Sequence, residues 1–364
     1  MRLYFIFLSA LVLIVGCRPS DNQDCPLPGP GCEYASFFGI MDASDEASKA
    51  RGVVTLSPSD GTCDTLLIDN PLQRIICMSS SSVAALSTIG ADSLIVGVSG
   101  LKYLSDPKIH AMAGEGKVHD VGYEASMDYE TIMRLDPDLV LAYKVGDAEP
   151  PYLTKLRSLG IPVLVLYDHL EQHPLARAEY VRLFGVLAGC SDKADDFFDD
   201  VKNHYLAMRV EKTEEPVRVL MNIPYADAWY LPGSDGYMSR LIHDAGGQVL
   251  GAQKGSVSGV ITMEDAYSLS LEADMWLCPG YCRTREQLAT LHHLFPHFGP
   301  LAKGLPIYNN ILRATSGGGN DFWESGAVRP DLILKDLRAI FQAYKKELSA
   351  GTADNLSYFI ELSE

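Results

Sequence analysis

Four consecutive serines, Ser79 to Ser82, follow the apolar run 74–78 and precede a helical pattern over 83–89. Hydroxyls and free backbone N–H groups at such a helix start can bind the polar edge of a ligand, or simply cap the helix. Ser80 and Ser81 are the candidates for ligand contact. Further loops that follow predicted strands carry Tyr103, Tyr123, Tyr143, Tyr225, Trp229, Tyr230, Tyr281 and Trp323. Rings in those places can wall a flat ligand, although aromatic residues are as readily used in a core. A strongly anionic ligand would need several cations facing it. Lys144, Arg283, Arg285 and Arg313 are available, and only Arg283 and Arg313 fall in loops near the expected site. The balance favours a weakly charged ligand, with Arg313 as its polar contact.

Other reactive residue types are present without the spacing that chemistry needs. His292, His293 and His297 follow Cys278 and Cys282, all of them residue types that bind zinc. Pro296 interrupts the helix that a paired-histidine site would use, and the cysteine spacing is unspecific, so no metal site is predicted. The chain has no GxSxG elbow, no HExxH and no GKS or GKT phosphate loop. No catalytic residue and no cofactor is assigned, and a binding protein is favoured over an enzyme. A two-lobed enzyme of the chelatase type is the rival class, and it would require an acid, base or metal group converging on the same cleft.

The elements that would position these residues alternate between strand and helix. A chain of 364 residues exceeds the size of one hydrophobic core, so two domains are expected. Strands are read at 74–78, 94–98, 139–142 and 163–167, with helices at 83–89, 128–135 and 153–159. The rhythm restarts with strands at 217–223, 274–278 and 306–309 and helices at 237–245, 263–269, 285–291 and 330–346. Such alternation predicts α/β lobes with mainly parallel sheets. Between them, after a helix over 174–187, Ser191 to Lys212 repeats Ala194, Phe197, Val201, Tyr205 and Met208 at helical spacing. This stretch is read as one long helix joining the lobes, with Ser191 at its cap and only small rocking of the lobes about it. Residues 53–56 and 65–68 read as two short strands of a hairpin, and the tail after 350 as poorly ordered.

The ends and the charge fix the setting. Arg2 precedes the apolar run 3–15, which is too short to span a bilayer as a mature helix, and Gly16-Cys17 follows at once. The balance of 30 Lys and Arg against 47 Asp and Glu gives a net charge of -17, which disfavours a nucleic-acid partner and suits a monomer. Of the 8 cysteines, Cys25 with Cys32 and Cys278 with Cys282 are near enough in sequence to pair, while Cys77 and Cys190 read as buried thiols.

Two resemblances follow from these residues. The Ile-Val-Gly-Cys end of the apolar run resembles the lipobox of bacterial lipoproteins, which implies lipidation of Cys17 and a membrane-anchored location on the periplasmic face of the envelope. The serine turn, DVGYEASMDYETIMRLDPDLVLAY, LEQHPLARAEYVRLFG, WYLPGSDGYMSRLIHDAGG and GGGNDFWESGAVRPDLILKDLRAIF resemble the periplasmic-binding proteins that deliver vitamin B12, ferric siderophores or haem to ABC importers. They are most similar to the cobalamin or iron-chelate binding lipoproteins of Bacteroidetes. The resemblance implies a small-molecule ligand, a corrinoid ahead of a siderophore or haem, and an ABC permease with its ATPase as partner. It also implies that acidic residues on the lobe tips, here Glu149 and Glu264, dock on permease arginines. The resulting division is a signal peptide at 1–17, a tether and hairpin at 18–69, lobes at 70–172 and 216–346, connecting helices at 173–215 and a tail at 347–364.

Overall fold

The computed structural model describes residues 32–42, 51–226, 228–345 and 355–364. Cys17 and the signal segment lie outside them. The first strands, β1 (Phe38–Asp42), β2 (Arg51–Leu56) and β3 (Cys63–Ile68), pair antiparallel in the order β1-β2-β3. The hairpin expectation thus gains a third strand from a region read as tether.

The first lobe follows. β4 (Ile75–Cys77), α1 (Ser80–Thr88), β5 (Ile95–Val98), α2 (Pro107–Gly114) and β6 (His119–Asp120) lead to α3 (Tyr129–Leu135), β7 (Leu139–Tyr143), α4 (Pro151–Ser158) and β8 (Val163–Leu166). The strands form a parallel sheet in the order β6-β5-β4-β7-β8. Alternate residues of β4 serve its two faces, as strand periodicity requires: Ile75 and Cys77 join one buried cluster, Ile76 the other.

Two helices, α5 (Pro174–Ala188) and α6 (Ser191–Met208), make the connection. They pack on each other about a turn where Gly189 takes φ 67°, a conformation glycine adopts without strain. The helix expected to be the sole link is therefore half of a pair, and α5 is the more enclosed member, buried from Pro174 to Leu187 at most of its positions. α6 ends at Met208 because Arg209 turns extended, its N-cap is Cys190 rather than Ser191, and Phe198 rather than Phe197 lies on its buried face.

The second lobe comprises β9 (Val217–Met221), β10 (Trp229–Leu231), α7 (Tyr237–Asp244), β11 (Gly247–Val249), β12 (Gly259–Ile261), α8 (Met263–Glu272) and β13 (Met275–Leu277). After these come α9 (Arg285–Leu291), α10 (Gly299–Ala302), β14 (Ile307–Asn309), α11 (Ser325–Val328), α12 (Pro330–Tyr344) and β15 (Ile360–Glu361). Its main sheet runs β11-β9-β13-β14-β15, parallel except for β15, while β10 and β12 form a separate antiparallel pair.

The C-terminal residues correct the expectation of a poorly ordered tail. The Asp336 carboxylate accepts the N–H groups of Ser357 at 2.9 Å and Tyr358 at 2.7 Å, and Tyr358, Phe359 and Leu362 are buried. Three apolar side chains and a carboxylate that fixes the preceding backbone hold the edge strand in place. The start of the described chain is fastened in the same way: Glu179 accepts from the backbone of Glu33, Tyr34 and Ala35, and Glu171 from Ser36 and Phe37. Neither cysteine pairing that sequence proximity allows forms, and Cys25 lies outside the described residues. Cys32, Cys278 and Cys282 are free thiols, as are Cys77, buried as expected, and Cys190, which is only half-buried, and Cys63 is disulfide-bonded.

Candidate functional site

Parallel strands gather their following loops at one end of each sheet, where ligands of open α/β folds bind. β4 places the serine turn there. Ser79 is the cap, with extended backbone and its hydroxyl accepting from Ser82 N–H; Ser80 and Ser81 stand partly exposed in the first turn of α1. The loop after β5 presents Tyr103 and that after β6 Tyr123, edge to face at 6.3 Å and both exposed. Lys102 Nζ sits 4.7 Å from the Tyr103 ring centre, and its hydrogen bond to Tyr103 holds its pKa above the ordinary lysine value. At the end of β7, Tyr143 is half-buried against His169, ring centres 6.0 Å apart, with burial pushing the phenol up. Both ring nitrogens of His169 are enclosed without a well-formed hydrogen bond, and burial holds its imidazole below the usual value.

In the second lobe, Tyr225 after β9 is 81% exposed and Tyr281 after β13 is 72% exposed. The backbone beneath them is unusual: Asn222, Ala226 and Cys278 have φ of 65°, 50° and 56°. Left-handed conformations at non-glycine residues cost free energy and gather where a loop is shaped for a purpose. Asn222 is held on both sides, its side chain donating to the Tyr230 carbonyl at 2.9 Å and its own carbonyl accepting from the Trp276 indole at 2.7 Å.

Trp229 is a correction. It is 1% exposed, stacks on Trp276 and Phe298 at 6.0 and 5.8 Å, and donates its indole N–H to the Met221 carbonyl. Strand alternation in β10 turns Trp229 and Leu231 inward and Tyr230 outward, so Tyr230 alone is left on the exposed side. Trp323 is exposed on the loop before α11. Among the described residues no two candidate rings from opposite lobes touch. Sequence reasoning missed Lys102, His169 and the strained Asn222 and Cys278; only the Lys-Tyr adjacency at 102–103 offered a signal.

The cations are largely committed elsewhere. Arg313 bonds Asp321 at 3.1 Å and lies over Tyr358, Arg283 donates to the Ile311 carbonyl and Arg285 to the Leu305 carbonyl. Lys144 lies 6.0 Å from the Tyr167 ring. Of the two acids expected to dock, Glu149 is exposed but paired with Arg157 at 2.5 Å, and Arg157 also reaches Asp64. Glu264 is exposed in the first turn of α8, whereas its neighbour Asp265 is used in the capping box with Thr262. Among the described residues no cluster of three or more metal-binding side chains occurs.

Two α/β lobes joined by helices, with tyrosines exposed on strand-end loops of both, define a protein of the periplasmic solute-binding type. The chain belongs to the periplasmic binding protein family, whose model matches residues 75–291. An uncharacterized lipoprotein of Methanocaldococcus jannaschii is 25% identical over 291 residues, 77% of this chain and 68% of that protein. Two solved structures share the fold. The periplasmic haem-binding protein HutB of Vibrio cholerae has a TM-score of 0.56 at 18% identity, covering 72% of this chain and 98% of its own. The periplasmic vitamin B12 binding protein BtuF of Vibrio cholerae has a TM-score of 0.50 at 15% identity, covering 76% and 99%.

Proposed function

We propose that this substrate-binding protein captures a corrinoid between its lobes and hands it to an ABC permease, as a binding protein and not as an enzyme. The observation that carries the reading is the pairing of exposed tyrosines at the strand-end loops with arginines already committed to other groups. Flat apolar walls favour a macrocycle, and the shortage of free cations disfavours ligands of high negative charge such as catecholate siderophores. Haem, whose two carboxylates need donors, is the second reading, with Lys102 and the serine turn as its available donors.

In this reading Ser80, Ser81, Tyr103, Tyr123, Tyr143, Tyr225, Tyr230, Tyr281 and Trp323 contact the ligand. Arg313 contributes only if its bond to Asp321 opens. Cys17 carries the lipid that holds a monomer on the periplasmic face of a membrane, a role supported by the lipoprotein relative. Glu264 docks the second lobe on the permease and Glu149 the first, after release from Arg157. Titration calorimetry of the purified chain with cyanocobalamin, haemin and a ferric siderophore panel tests the ligand: binding of cyanocobalamin at one-to-one stoichiometry is expected, and silence with every corrinoid would sink the reading.

A further inference from the structure

The chain crosses between the lobes a second time. After β14 the segment 310–324 leaves the second sheet and reaches the first lobe. A Cβ at Gly317 would overlap the Lys102 carbonyl oxygen, and one at Gly319 the Tyr103 carbonyl oxygen. Glycine is required where two backbones approach this closely, which accounts for two members of the Gly317-Gly-Gly motif. Glu324, 2% exposed, then accepts the N–H of Ser105 at 2.7 Å and of Asp106 at 2.9 Å, the two residues entering α2. α11 follows at once and packs on α1 and α5.

From these contacts we propose that Gly317–Glu324 is a latch that holds the two lobes at a fixed separation on the side of β5 and β14. α5 and α6 join the lobes covalently, and the latch makes a second attachment, through the backbone of 102–106. Two attachments remove the simple hinge that one would allow. The carboxyl group is suited to the task, because each of its oxygens accepts one backbone N–H and buried polar groups left without their partners are costly. The inference is independent of which ligand occupies the cleft.

Hydrogen exchange with mass spectrometry on the full chain in detergent tests it. In the wild-type chain the Ser105 and Asp106 amides should be as protected as those of α1. Glu324→Ala should raise their exchange by roughly tenfold, the equivalent of one lost bond, and carry the amides of 101–103 and 325–328 with them, while β4 and β9 stay unchanged. Gly319→Ala acts on the same contact from the other side, by forcing the Tyr103 carbonyl away, and should raise the same set if Glu324→Ala proves unable to fold. Rapid exchange of Ser105 and Asp106 in the wild-type chain, or a rise spread evenly over both sheets in both variants, overturns the latch.

Discussion

The strand-end loops of the two lobes are built differently. On the first lobe the aromatic side chains support one another: Tyr103 with Tyr123 and Lys102, Tyr143 with His169. On the second, Tyr225 and Tyr281 project singly from loops whose backbone is strained at Asn222, Ala226 and Cys278. One set gains its shape from side-chain packing, the other from main-chain conformation set by the core below. Truncating a ring should therefore disturb its neighbours in the first lobe and little else in the second.

The largest contrast lies within β10. Trp229→Ala should lower stability by about 3–5 kcal/mol, as removal of a buried indole does, whereas Tyr230→Ala beside it should change stability by no more than about 0.5 kcal/mol. Urea unfolding of the two variants compares them, and equal losses would remove the distinction between core and rim. Ligand affinity should behave the other way. Tyr225→Ala with Tyr281→Ala should weaken cyanocobalamin binding by roughly tenfold or more, at about 1 kcal/mol for each lost ring contact, with an unchanged unfolding midpoint. Tyr103→Ala with Tyr123→Ala should lose both affinity and local protection of the 101–126 region, and calorimetry beside hydrogen exchange separates the two outcomes.

Backbone strain gives a smaller effect. Asn222→Gly should be neutral in conformation and lose only the bond to Tyr230, while Asn222→Val should cost about 1–2 kcal/mol because a branched residue resists the left-handed region. If Val is tolerated as well as Gly, the second set is not shaped by its main chain.

The pH dependence sharpens the comparison of fastenings. Burial pushes Glu171 and Glu324 up to about 7 from the ordinary value of 4.5. Asp168 and Glu179 add to the rise at Glu171, Asp321 and Asp106 at Glu324, and the backbone N–H groups oppose it. Between those values the folded chain holds protons that the unfolded chain has released. This part of the stability is present in full below about 4.5 and is lost as pH rises through 7. Glu171→Gln and Glu324→Gln should each flatten the decline seen in urea unfolding between pH 5 and 8; an unaltered slope in both would show that other groups govern it. The smallest effect concerns Glu149 and Glu264. Glu149→Ala should cost no more than about 1 kcal/mol, the scale of an exposed ion pair, and Glu264→Ala less, while reversal of both charges should abolish uptake and spare ligand binding.

The strand-helix order was readable because apolar period and turn residues are local: β4, β7, β8, β9 and β13 lie within a residue or two of their expected places. What escaped depends on distant partners. The residues leading into β1 are held by Glu171 and Glu179, more than 130 residues away in sequence, and those leading into the C-terminal strand by Asp336. Trp229 and Tyr230 were both legible as aromatic residues in a strand, but the alternation that separates them has meaning only once it is known which face meets Trp276 and Phe298. Arg313 is a cation in the sequence, and its neutralisation by Asp321 belongs to the folded loop.

The attachment of the N-terminal segment has a mechanical side. Five backbone N–H groups from Glu33 to Phe37 end on two carboxylates, and Glu179 lies on α5, between the lobes. Tension applied to the chain ahead of Cys32 is thus delivered to α5 before it reaches either parallel sheet. The β1–β2 ladder behind this anchorage is shielded, and a leash pulled from that end would load the connecting helix first.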